Sequence, residues 1–100
     1  MSQVTESNEI SHELSLSLRA TNGAVWNTRE FRSNQKVGHV LKVAVDHFVK
    51  EGAMSKGDYL LALVTQGQAK DLIDSQTLAE AGVVNGSTLA ILARGPQVDG

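Results

Sequence analysis

The chain contains no cysteine, which removes disulfide staples, thiolate zinc sites and thiol nucleophiles together. It also lacks an excess of charge of either sign. Nine Lys and Arg stand against eleven Asp and Glu, a net charge of −2, so there is no electrostatic footprint for a nucleic acid. No apolar run approaches the roughly 20 residues needed to cross a bilayer. The polar start from Met1 to His12 has neither the basic n-region nor the apolar middle of a secretory signal, so a cytoplasmic protein that does not engage membranes is expected. What is present is an ordinary globular composition, 41% hydrophobic and 20% charged over 100 residues, enough for one domain and one core.

Residues 1–12 are mostly Ser, Glu, Gln, Asn and Thr, offer no periodic apolar face, and read as a solvated, disordered arm. A domain is expected over residues 13–94. Leu14, Leu16 and Leu18 alternate with Ser15, Ser17 and Arg19, the period of two of a half-buried strand. Asn22-Gly23 marks a tight hairpin turn in which both residues take positive φ. Val25 to Arg32 supplies a second strand, with Val25, Trp26, Thr28 and Phe31 its apolar and β-branched members. The pattern leaves the face of Trp26 open.

Ser33 and Asn34 are N-cap candidates for a helix of about four turns, in which Val37, Val40, Leu41, Ala44, Phe48 and Val49 recur at three- and four-residue spacing. Gly52 is the expected stop. Asp58 to Thr65 reads as a central strand, Gln66 to Gln68 as a turn, and Ala69 to Ile73 as a short edge strand. Leu78 to Gly82 reads as one helical turn, and Thr88 to Arg94 as the last strand. A hairpin, one helix and two longer returning strands bury a common core only if the helix crosses one face of a mixed sheet, with the first and last strands parallel at its centre. The predicted class is therefore α+β, a β-grasp with a four- to five-stranded mixed sheet and one main helix on one face.

The residues offer little for catalysis. His12, His39 and His47 include no pair at the i, i+4 spacing of a helical metal site. Glycines fall in turns and form no phosphate-cradling loop, and no serine sits in an elbow motif. No enzymatic activity, metal or cofactor is expected. Beyond Arg94, residues 95–100 have no predicted ladder partner, and Pro96 lacks the N–H of a central strand residue. A projecting end that finishes in glycine suits chemistry on its carboxylate, because Gly100 has no side chain to obstruct a narrow channel.

The stretch from Gln76 to Gly95 runs Thr77-Leu78, a short turn, Val83, a second turn at Asn85-Gly86, and then Ser87-Thr88-Leu89-Ala90-Ile91-Leu92-Ala93-Arg94-Gly95. In that order and spacing it resembles the ubiquitin-like family. Leu63 to Gln68 is similar to the family's third strand and following glycine turn, and Lys50-Glu51-Gly52 to its helix end. The likeness covers about residues 13–95 and is strongest to bacterial ubiquitin-like proteins, some encoded beside activating and conjugating enzymes.

The resemblance implies a protein modifier activated at Gly100 and joined to target proteins, through an isopeptide bond where the acceptor is a lysine. Activating-like and conjugating-like enzymes, and in some systems a processing peptidase, would be its partners. Asp99 departs from the family's Gly-Gly end, and Gly95 is an alternative processing site that Pro96 disfavours. The resemblance also implies a partner-binding patch. By alternation, Ala62, Val64, Ala90 and Leu92 point away from the helix, and Arg94 is expected on the polar rim. A non-covalent adaptor acting through that face is the alternative reading.

Overall fold

Leu14, Leu16 and Leu18 are all buried on strand β1 (Glu13–Arg19), as their alternation requires. The computed structural model describes residues 12–94. The arm, apart from His12, and the tail with Gly95 and Gly100 lie outside the described residues.

β1 pairs antiparallel with β2 (Val25–Arg32) through a turn in which the Gly23 N–H donates to the Ala20 carbonyl at 3.0 Å. Only Gly23 takes a positive φ, +94°. Asn22 acts through its side chain instead, its amide oxygen accepting the Ala24 N–H at 2.9 Å. Further along, Leu16 faces Thr28 while Leu14 faces Phe31, so three steps on β2 oppose two on β1. This β-bulge at Arg29-Glu30 resolves the broken alternation of Thr28 and Phe31, bringing both buried side chains to the same face. The Glu30 N–H donates to Thr28 Oγ1 within the bulge. Deleting Glu30 is expected to restore simple alternation and keep Phe31 in the core, with the melting temperature moving by only a few degrees, roughly the effect of 1 kcal/mol. Deleting Asn27 is the contrasting case, since it would turn Trp26 to the opposite face. Calorimetry of the two deletions checks the pair.

Helix α1 (Val37–Lys50) buries Val37, Val40, Leu41, Ala44 and Phe48. Its start corrects the expected caps. Lys36 is the N-cap and makes no side-chain capping bond, because neighbouring loop carbonyls take the orphan donors. The Val37 N–H donates to Gln76 O at 2.8 Å and the Gly38 N–H to Asp74 O at 3.0 Å. A Cβ on Gly38 would lie 3.2 Å from Asp74 Cβ, so glycine permits this approach. Ser33 Oγ instead accepts the His12 N–H at 2.9 Å. At the other end, Ala53 N–H to Phe48 O and Gly52 N–H to Val49 O form a Schellman motif, with Gly52 at φ +78°.

β3 (Tyr59–Thr65) turns at Gln66-Gly67 into β4 (Gln68–Asp71), and both turn residues have positive φ. β4 is shorter than expected, and Ile73 lies beyond it, exposed. The stretch from Leu78 to Gly82 is a single closed turn. It opens on a reciprocal capping box, Thr77 N–H to Glu80 Oε1 at 2.9 Å and Glu80 N–H to Thr77 Oγ1 at 3.1 Å. β5 (Thr88–Ala93) then enters the middle of the sheet, giving the order β2-β1-β5-β3-β4. β5 is parallel to β1 and antiparallel to β3.

The core lies between α1 and one sheet face. It contains Leu16, Leu18, Phe31, Leu61, Leu89 and Ile91 from the sheet and Val40, Ala44 and Phe48 from the helix. Trp26, opposite Leu18, joins it from β2. Its ring stacks on His47 at 3.8 Å and 10°, and meets Phe31 and Phe48 edge-on at 6.0 and 6.5 Å.

Candidate functional site

The ladder registers place the bare sheet face residue by residue. Tyr59, Leu61 and Leu63 pack with the helix-side core, so Leu60, Ala62 and Val64 face the other way. Across β5 they meet Leu92, Ala90 and Thr88 in register. Ala90 pairs in turn with Arg19 on β1, and Ala62 with Asp71 on β4. One row therefore reads Arg19, Ala90, Ala62, Asp71, with leucines on one side and Val64 and Thr88 on the other.

This row corrects the expected patch. Ala62 is 0% exposed and Ala90 6%, although no helix covers them. Each has only a methyl group and lies between paired strands on both sides, the row ending in the longer Arg19 and Asp71. They form the floor of the face and offer no surface to a partner. Leu92, 37% exposed, is the prominent apolar group, with half-buried Leu60 beside it and half-buried Val64 across the alanine row. Leu60 belongs to the patch but was not singled out from the sequence; the 60, 62, 64 alternation was the signal that could have found it.

Arg94, expected on the rim of this patch, is held by contacts at the end of the ladder. The last ladder pair is Tyr59 with Ala93, so strand alternation no longer governs the residue that follows. Its backbone N–H donates to Asp58 O at 3.0 Å. The guanidinium then turns to two carboxylates, Nε lying 3.6 Å from Asp58 Oδ1 and Nη2 3.7 Å from Asp74 Oδ2. These exposed pairs set direction more than stability, each contributing about 0–1 kcal/mol. Arg94 thereby lines a groove on the helix side, between α1 and the segment leading into β3. Nothing in the local sequence announces that groove, because its walls come together only when α1 crosses the sheet.

The histidines stand apart. His39 is exposed, and half-buried His47 is occupied by its stack with Trp26. Among the described residues no three His, Asp or Glu side chains are placed to hold a metal ion, and no helix is long and apolar enough to cross a membrane.

A five-stranded mixed sheet with its first and last strands parallel at the centre, and one helix across one face, defines a β-grasp of ubiquitin-like topology. Solved structures share that fold. The chain is similar to the C-terminal ubiquitin-like domain of mouse tubulin-specific chaperone e, with a TM-score of 0.68 and 19% identity over 95% of this chain and 100% of that one. It is similar to a protein designed de novo on the basis of ubiquitin, with a TM-score of 0.63 and 15% identity over 88% and 96%. Caldiarchaeum subterraneum ubiquitin matches with a TM-score of 0.56 and 20% identity over 89% and 100%. At these identities the likeness establishes the fold. No protein-family model and no curated protein matches the sequence.

Proposed function

We propose that this chain is a bacterial-type ubiquitin-like modifier, activated at the Gly100 carboxylate and conjugated in the cytoplasm to target proteins. The observation that supports it most is where the ladder stops. β5, the central strand, makes its last pair at Ala93, so in the sequence the six residues from Gly95 to Gly100 follow the end of the central strand. In the proposed chemistry, ATP adenylates the carboxylate with release of pyrophosphate. The acyl group then passes to an enzyme thiol with release of AMP, and on to a target amine or hydroxyl with return of the free thiol. Asp99 places a negative charge beside the reacting group, so the activating enzyme must accept an acid there. Cleavage after Gly95 by a peptidase is the alternative end.

The test is incubation of the tagged protein with ATP in extract of its source cells, followed by denaturing electrophoresis. Higher-mass adducts are expected with the full chain and none after deletion of Gly100. Adducts that survive the deletion unchanged would overturn the reading.

The exposure of Leu92 beside Leu60 favours a second reading, a non-covalent adaptor that grips partners through the bare sheet face. For an adaptor, Leu92→Asp abolishes partner capture while removal of residues 95–100 has no effect. For a modifier acting only through its end, the two changes exchange outcomes. The folded state tolerates Leu92→Asp because the side chain is already in contact with water.

A further inference from the structure

The row Arg19, Ala90, Ala62, Asp71 carries opposite charges at its two ends and only methyl groups between them. Both end groups are exposed, and neither makes an ion pair among the described residues. They cannot satisfy each other, because three strand spacings, about 14 Å, separate them. We propose that this face binds a second copy of the chain in a two-fold symmetric dimer, with Arg19 of each copy paired to Asp71 of the other.

The sheet order supplies the symmetry. A two-fold axis between the copies, parallel to the strands and midway between β5 and β3, brings β1 of one copy over β4 of the other and β5 over β3. Arg19 then lies over Asp71 twice, once at each end of the row. The same rotation sets Leu92 over Leu60 of the second copy, since these two share a row. That row extends to Ile73. The Leu72 N–H donates to Leu61 O at 2.9 Å, so the β3–β4 register continues and puts exposed Ile73 opposite Leu60. Sheets stacked face to face, about 10 Å apart, interdigitate their side chains. Uncharged groups thus meet in the middle and opposite charges at the ends, as a self-complementary interface requires. A partner presenting one sign of charge would leave one end of the row against a like charge.

The size of the face sets the strength. Strands of six and seven residues in a five-stranded sheet make a face of roughly 400 Å², well under the ~800 Å² per partner of a stable complex. The dimer is therefore weak and forms at high concentration. It deepens the adaptor reading by naming a partner, and rests on that reading only in taking the bare face as one that binds protein.

Sedimentation equilibrium of the full chain at concentrations up to about 1 mM tests the dimer with no other component. A monomer–dimer equilibrium is expected. Leu92→Asp should abolish it, and Arg19→Asp and Asp71→Arg should each weaken it more than about tenfold by setting like charges over one another. Mixing the two charge variants should restore association, because one copy then carries two acids and the other two bases. None of the three changes touches the core. A monomer throughout the range, association indifferent to Leu92→Asp, or a mixture no tighter than its components would overturn the proposal. Such a result would leave the adaptor reading to an unlike partner, and failed capture of other proteins would leave the dimer standing.

Discussion

Leu89→Ala is expected to lower the stability of the domain by about 2–5 kcal/mol, the range for truncating a buried leucine. Leu89 is 0% exposed. In register it lies between Leu18 on β1 and Leu63 on β3, so truncation removes packing from both central ladders. The backbone cannot collapse onto the void, because β5 is hydrogen-bonded along both edges. Against a typical total of roughly 5–15 kcal/mol, this is a large fraction. Urea unfolding should show a lower midpoint with an unchanged slope. Leu92→Ala on the same strand is the control. Its exposed side chain predicts a loss below about 1 kcal/mol, and equal losses at the two positions would contradict the assignment of faces.

Trp26→Ala is expected to cost about 2–4 kcal/mol, below the roughly 3–5 of a fully buried aromatic because Trp26 is only half-buried. Its ring joins the β1–β2 hairpin to the end of α1 through His47, Phe48 and Phe31. His47→Ala removes only the stacked partner, for about 0.5–1.5 kcal/mol. Trp26 is the single tryptophan, so its fluorescence reports the stack directly. An emission spectrum unchanged by His47→Ala would show that the rings do not stack in solution.

Much of the architecture was legible because it is written in local periodicity. Leu14, Leu16 and Leu18 could serve only a half-buried strand, and the spacing from Val37 to Phe48 only an amphipathic helix. The parallel pairing of β1 and β5 followed, since one helix can cover just one face. The helix cap was not legible in this way. Ser33 and Asn34 have good capping chemistry, but the acceptors come from Gln76 and Asp74, about forty residues away along the chain. The bulge was equally hidden, because a slip of one residue at Arg29-Glu30 has meaning only against the register of β1.

The patch divided along the same line. Alternation set Ala62 and Ala90 away from the helix, yet could not show that they are buried there. Alternation reaches only as far as the ladder, and Arg94 lies one residue beyond it. By itself the sequence determined the main elements, their order and the two faces of β1, β3 and β5, since these depend on residues a few positions apart. Tertiary structure alone decided which of those residues reach water, where Trp26 packs, and that Arg94 stands on a groove. Exposure, stacking and ion pairing depend on atoms brought together across the fold, whose distances appear in no local pattern.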